Sequence, residues 1–260
     1  RHGCRALVRG QQVLFNLAGQ TSHQDSMSDP FTDLDINATS QLAILEACRS
    51  INPDVRIVFA STRQIYGRPD YLPVDEKHLV RPVDVNGINK MAGEWYHILY
   101  NNVYGIRSCA LRLTNTYGRG MRIKDARQTF LGIWIKELLA GNPFSVWGGE
   151  QLRDFNHVDD VVDAMLLAAM DERAAGQAFN LGDSDIVSLR SLADRLVEAN
   201  GGGTYAIRAF PQERKRIDIG SYTTDGSKIR RDLGWQPTID FEEGIRRTGS
   251  WFRHLALHVA

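Results

Sequence analysis

The stretch VDVNGINKMAGEWYHILYNNVYG, residues 83–105, reads as a loop leading into an amphipathic helix over residues 86–102, with one early lysine, Lys90. Short, nearly continuous apolar runs stand on either side: VRIVFAS (residues 55–61) before it and RSCALRLTN (residues 107–115) after it. A helix between two such runs predicts parallel strands buried on both faces. One step further out the pattern repeats. QVLFNLAG (residues 12–19) reads as a strand, and DLDINATSQLAILEACRS (residues 33–50) as a helix with Ile36, Leu42, Leu45 and Ala47 at helical spacing. The expected fold is α/β, a doubly wound parallel sheet with strands at 12–17, 55–60 and 107–113 and helices on its faces.

Beyond Tyr117 the texture changes. The pattern predicts a helix over 129–140, a short strand at 144–147, a helix from near Val158 and a strand at 177–181. SLRSLADRLVEANGGG reads as a helix that Ser188 can cap and the glycines end. The tail FEEGIRRTGSWFRHLALHV reads as a closing helix. This divides the chain into a sheet domain (1–117) and a smaller mixed α/β lobe (118–260), with parts of about 144–181 returning to the sheet.

The 260 residues are 43% apolar and 24% charged, as in ordinary globular proteins, and 31 basic residues balance 31 acidic ones. That balance argues against a broad nucleic-acid or anionic-membrane surface. No apolar run approaches the roughly 18 residues of a spanning helix. Cys4, Cys48 and Cys109 are scattered without metal spacing and read as free thiols, which fits a cytoplasmic setting.

Several motifs occur in one order: NLAG, DLDIN, FASTRQIYG, NGINKMAGE, LRLTNTYG, LRDFNHVDDVVDAM and LGW. Each alone is weak, but in that order they resemble the extended short-chain dehydrogenase/reductase family, above all nucleotide-sugar epimerases and dehydratases of the UDP-glucose 4-epimerase type. The resemblance covers nearly the whole chain. It implies a Rossmann-like sheet, NAD as cofactor, a nucleotide-diphosphate sugar as substrate, and a homodimer formed through two helices per subunit, here 33–50 and 87–102. It places Ala18, Gly19, Asn37, Lys90 and Leu113 at the cofactor. Thr62, residue 86 and Lys90 fall at the catalytic positions. Asn115 and Arg153 fall at the diphosphate, with Lys215 or Arg216, and Arg214 as a further option, at a second phosphate position. Arg119, Arg122, Lys124 and Arg127 add basic residues that could hold phosphate or form a solvated face.

Two departures stand out. No Gly-rich turn of the G-x-x-G-x-x-G kind occurs, so no pyrophosphate cradle is expected in this chain. The chain is expected to begin partway through the fold, with roughly 60 residues preceding it in a complete member. The family's helix carries a catalytic tyrosine four residues before its lysine, and here that position is Asn86, an amide that cannot act as a base. Three readings remain open. Tyr66, His97 or Lys90 substitutes as base; or binding persists and the redox chemistry is lost; or the helix is displaced. Asn86 could also cap its helix.

Arg63 and Gln64 stand where dehydratases of this family carry an Asp–Glu pair. Neither is an acid or base suited to eliminating water, so dehydration is disfavoured, and decarboxylation with it. A 4-epimerase needs only reversible hydride transfer and rotation of the keto sugar. Epimerase is the leading expectation. A non-catalytic sugar-nucleotide or dinucleotide sensor and a reductase or dehydrogenase are the alternatives. Arg153 could instead pair with Asp154 or Asp160, and His157 is expected to pack or cap.

Overall fold

The computed structural model describes residues 2–123, 129–182 and 185–259. Its strands are β1 (Val13–Asn16), β2 (Arg56–Thr62), β3 (Ser108–Leu113), β4 (Asn115–Tyr117), β5 (Phe144–Trp147), β6 (Leu152–Arg153), β7 (Phe155–His157), β8 (Ala178–Asn180), β9 (Val187–Ser188) and β10 (Tyr205–Arg208). Its helices are α1 (His2–Val8), α2 (His23–Ser28), α3 (Pro30–Leu34), α4 (Ser40–Ile51), α5 (Val85–Tyr104), α6 (Phe130–Leu139), α7 (Val158–Met170), α8 (Leu189–Asn200), α9 (Gln212–Lys215), α10 (Ser227–Leu233) and α11 (Phe241–Val259).

Strands β1, β2, β3 and β8 form one parallel sheet in the order β1-β2-β3-β8. Because side chains alternate along a strand, β2 feeds two cores. Ile57 packs with Leu45, Cys48, Tyr100 and Ile106 beneath α1, α4 and α5. Val58 packs with Val161, Ala164, Ala168, Ile229 and Trp235 beneath α7 and α10. Apolar cover on both faces is why these strands read as unbroken apolar runs. The fold is the expected α/β architecture with a parallel central sheet.

Of segment 144–181, β8 joins this sheet, whereas β5 pairs in parallel with β10. Around that pair Trp134, Leu138, Phe144, Leu192, Phe241 and Phe252 form a separate core. Ser188 caps α8 by accepting from the Ser191 amide at 3.1 Å.

The expected helix over 33–50 is interrupted. Asp35–Thr39 form a π-helical turn between α3 and α4, a local widening common at functional sites. The turn turns Asn37 inward and brings its carbonyl against α5 at Gly93. A Cβ there would stand 2.8 Å from that oxygen, so only glycine permits the approach.

The cap of α5 is Asp84, whose Oδ1 accepts from the Gly87 amide at 2.6 Å. The cap expected at Asn86 is therefore corrected. Asn86 lies inside the first turn, where its side chain is free to make tertiary bonds.

Candidate active site

The C-terminal ends of β1, β2 and β3 face the start of α5. Lys90 is 6% exposed, and its Nζ donates to the Ala60 carbonyl at 3.1 Å, two residues before Thr62. Its Nζ also lies 5.0 Å from the centre of the Phe59 ring. Burial pushes the Lys90 amine down to about 8, against the opposing pull of Asp33. The helix thus holds Lys90 against the sheet rather than in solvent.

Gly19 closes over the same amine. A Cβ on Gly19 would stand 2.5 Å from Lys90 Nζ and 3.1 Å from Asn37 Oδ1. Asn37 donates from Nδ2 to the Gln20 carbonyl at 3.1 Å, while its buried Oδ1 has no partner. Ala18 is exposed and its carbonyl accepts from Gln41 Nε2 at 3.4 Å. Leu113 ends β3 in register with Thr62.

Asn86 is buried and engaged. Its Nδ2 donates to the Gln20 carbonyl at 2.7 Å and to Asp33 Oδ2 at 3.0 Å, and Asn89 donates to Asp33 Oδ1 at 2.8 Å. The amide therefore ties α5 to the loop after β1 and to α3.

Two of the three substitute bases are also engaged. Tyr66 OH donates to Asn180 Oδ1 at 2.7 Å and accepts from Arg112 Nη1 at 2.6 Å. Burial pushes the phenol up to about 12. His97 is fully buried, stacked on Phe59, with Ser108 Oγ at 2.7 Å from one ring nitrogen and Asn16 Nδ2 at 3.3 Å from the other. Burial pushes it down to about 3. Both side chains are sealed in the interior with their polar atoms bonded.

Sequence reasoning missed a fourth candidate. His23 opens α2 with its side chain 41% exposed, and its Nδ1 lies 2.9 Å from Oδ2 of the fully buried Asp84 side chain. The contact lacks the alignment of a hydrogen bond. Burial alone would raise the Asp84 carboxyl. His23, the Gly87 amide and Gln64 together hold it below the ordinary carboxylate range. Gln64 Nε2 donates to the same Oδ2 at 2.8 Å, and the Gln64 amide donates to Thr62 Oγ1 at 3.2 Å. A lone histidine in TSHQDS carries no spacing that links it to an aspartate so far along the chain.

Past the end of β2, Arg63 Nη2 donates to Asn115 Oδ1 at 2.9 Å, and the guanidinium sits 5.3 Å from the centre of the Tyr222 ring. Its Nη1 is buried without a partner, and burial pushes its pKa down. Asn115 Nδ2 donates to the Asp154 carbonyl at 2.9 Å, so both ends of this amide are engaged. Arg153 is 6% exposed and lies 3.5 Å from Asp218, rather than pairing with Asp154 or Asp160. Burial, and then the like charge of Arg63, push it down to about 10. Lys215 and Arg216 are exposed, and their carbonyls accept from Arg68 Nη2 at 3.1 and 3.2 Å. His157 caps α7, accepting from the Asp159 amide at 3.3 Å. Arg119 pairs with Asp159 at 3.2 Å. Lys124, Arg127 and the Arg214 side chain lie outside the described residues.

The model of the NAD dependent epimerase/dehydratase family matches residues 4–182. The chain belongs to this family. It is 31% identical over 248 residues to the UDP-glucose 4-epimerase of Mycolicibacterium smegmatis, covering 94% of this chain and 76% of that one. The fold matches the UDP-glucose 4-epimerase of Thermotoga maritima, solved with UDP-glucose, with a TM-score of 0.89 at 27% identity, covering 98% and 82% of the two chains. It also matches MoeE5, solved with UDP-glucose and NAD, with a TM-score of 0.87 at 27% identity, covering 97% and 83%.

NAD is the cofactor of this epimerase/dehydratase family. The residues present fit a polar end of that cofactor: Gly19 lets the backbone approach Lys90 and Asn37 where a Cβ would clash, Asn37 offers an unpartnered oxygen, and Lys90 supplies a buried cation. Among the described residues no helix is long and apolar enough to cross a membrane.

Proposed function

We propose that this chain is a nucleotide-sugar epimerase that inverts the sugar at C4. The observation that carries this reading is the state of Arg63 and Gln64. Arg63 is tied to Asn115 and Gln64 to Asp84. Neither offers the acid and base that elimination of water requires. Inversion by oxidation and re-reduction at one carbon needs no such pair. The names of the UDP-glucose 4-epimerase relatives support the same choice.

In this reading Gly19, Asn37 and Lys90 hold the nicotinamide ribose, and NAD, when bound, accepts and returns a hydride. Thr62 offers its hydroxyl to the sugar oxygen. Arg153 and Arg63, which bring two guanidiniums to one wall, hold the diphosphate. Asn115 orients Arg63 toward it. Subunits pair through the stripe of Ile88, Trp95, Leu99 and Val103 on α5, all exposed, continued by Leu42 on α4. Light scattering of the purified chain tests the pairing, and a monomer would refute it.

The test of function is incubation with NAD and UDP-glucose or UDP-galactose, with product sugars identified by NMR and NADH absorbance followed in parallel. Interconversion of the two sugars without net NADH is expected. Net NADH would mark a dehydrogenase. Tight binding with no conversion would mark a sensor, the reading that the engaged side chain of Asn86 favours.

A further inference from the structure

We propose that the His23 imidazole, oriented by Asp84, is the general base that takes the sugar hydroxyl proton in place of the tyrosine absent at residue 86. The inference rests on the epimerase reading and supplies its missing proton acceptor.

Position comes first. His23 follows the loop whose Gln20 carbonyl receives both Asn37 and Asn86, and Gly19 of that loop lies against Lys90. His23 therefore stands beside the first turns of α5, at the end of the helix that carries Asn86 and Lys90. A contiguous chain of contacts runs from it to the sugar-facing strand end: His23 to Asp84, Asp84 to Gln64, Gln64 to Thr62.

Orientation comes second. Asp84 is held by the Gly87 amide at 2.6 Å and by Gln64 at 2.8 Å, so its carboxylate is a fixed point. With Nδ1 turned toward Asp84, Nε2 is the nitrogen left to act. A carboxylate on one ring nitrogen fixes the tautomer, places the acceptor lone pair on the other and stabilises the imidazolium that forms. The 2.9 Å separation needs only a turn of the ring to become a straight hydrogen bond, an adjustment common when a site takes its substrate. The charged groups of the elements against which α2 packs are Asp33 on α3 and Lys90 and Glu94 on α5. Asp84 precedes α5, and Asp25 lies on α2 itself.

The competing groups are engaged elsewhere. Tyr66 and His97 are buried and bonded on both sides. Lys90 donates to Ala60 and serves as the cation beside Gly19.

The step balances. The sugar O–H bond breaks and its proton passes to His23 Nε2 while the C4 hydride leaves to the oxidised nicotinamide, giving a ketone. After the keto sugar rotates, hydride returns to the opposite face of C4 and Nε2 gives the proton back to the oxygen. No net oxidation occurs.

The test combines His23→Gln and Asp84→Asn with NMR of the histidine ring protons and kinetics. Asparagine keeps an acceptor for the Gly87 amide, so the helix cap survives. Expected results are threefold. UDP-glucose shifts the His23 ring signal of the wild type. Asp84→Asn moves that signal in the unliganded protein, because the carboxylate 2.9 Å from the ring is replaced by an amide. His23→Gln lowers kcat about 10²–10⁴-fold, removes the acidic limb of the pH profile and leaves UDP-glucose affinity within about twofold, as loss of a group acting only in the transition state requires. A His23 signal indifferent to UDP-glucose would overturn the proposal. So would a His23→Gln protein with wild-type turnover, and that result would leave the epimerase reading standing. A wild type that binds UDP-glucose without converting it defeats the epimerase reading, and the base with it.

Discussion

Two arginines with buried guanidiniums near neighbouring strand ends are held in opposite ways. Arg112 on β3 gives Nε and Nη2 to Glu94 on α5, at 3.1 and 2.5 Å, and Nη1 to Tyr66 OH at 2.6 Å. Glu94 also accepts from Ser61 Oγ at 2.6 Å, and Tyr66 passes the network on to Asn180. Arg63, just past β2, reaches one neutral acceptor, Asn115, and leaves Nη1 without a partner, as the nearby Asp154 leaves Oδ1. Buried polar groups in folded proteins are nearly always bonded. The closed network is therefore part of the scaffold, clamping α5 to the sheet. The open one has donor capacity left over, which suits a site whose remaining partner is a ligand.

The contrast can be broken most forcefully at Glu94. Glu94→Leu strands Arg112 as an uncompensated buried charge and should cost about 3–5 kcal/mol of stability, read as a lowered urea midpoint. Adding Arg112→Met should restore much of that loss, because replacing both partners with apolar groups removes the stranded charge. If the single variant unfolds at the wild-type midpoint, Arg112 and Glu94 do not clamp the helix.

Lys90→Met tests the cofactor end. Folded Lys90 titrates at about 8 against an ordinary 10.5, so between those values the unfolded chain binds more protons and native stability rises with pH. Below pH 8 the buried ammonium destabilises the fold by up to about 3 kcal/mol. The methionine variant should be the more stable protein at pH 7, and its advantage should shrink as pH climbs from 8 toward 10.5, as followed by thermal unfolding. Its NAD affinity should fall. A constant stability difference across that range would show that Lys90 is not desolvated.

Arg63→Met should have the smallest effect on the fold, under about 1 kcal/mol, since the loss of one hydrogen bond to a neutral acceptor is offset by the removal of a desolvated guanidinium. Its affinity for UDP should drop about tenfold, the loss of a charge-assisted contact of about 1.4 kcal/mol, measured by calorimetry. Unchanged UDP binding with a large loss of stability would move Arg63 from the open class to the closed one.

Local signals carried much of this molecule. The sheet strands predicted at 12–17, 55–60 and 107–113 form as Val13–Asn16, Arg56–Thr62 and Ser108–Leu113, because a doubly covered strand must be apolar along its length. The spacing of residue 86 and Lys90 on one helix was equally legible. The cap was misplaced by two residues because Asp84 and Asn86 are both good capping types, and only backbone geometry separates them. The ion-pair alternative for Arg153 was out of reach of sequence for a related reason. Asp154 is adjacent in sequence, but the acceptor that approaches the guanidinium is Asp218, from a distant loop.

The sequence by itself determined the order of strands and helices, the family motifs, the loss of the tyrosine at residue 86 and the unsuitability of Arg63 and Gln64 for elimination. The order of elements follows from residue type and short-range spacing, and the rest from the family resemblance that the motifs carry. Only the tertiary structure decided that Tyr66 and His97 are sealed into the interior, that Asn86 is bonded to Gln20 and Asp33, and that His23 meets Asp84. Those facts depend on which long-range neighbours share a volume and which side chains lose their water. Burial and partner identity set proton affinity and reach, and neither is written in the spacing of residues along a chain.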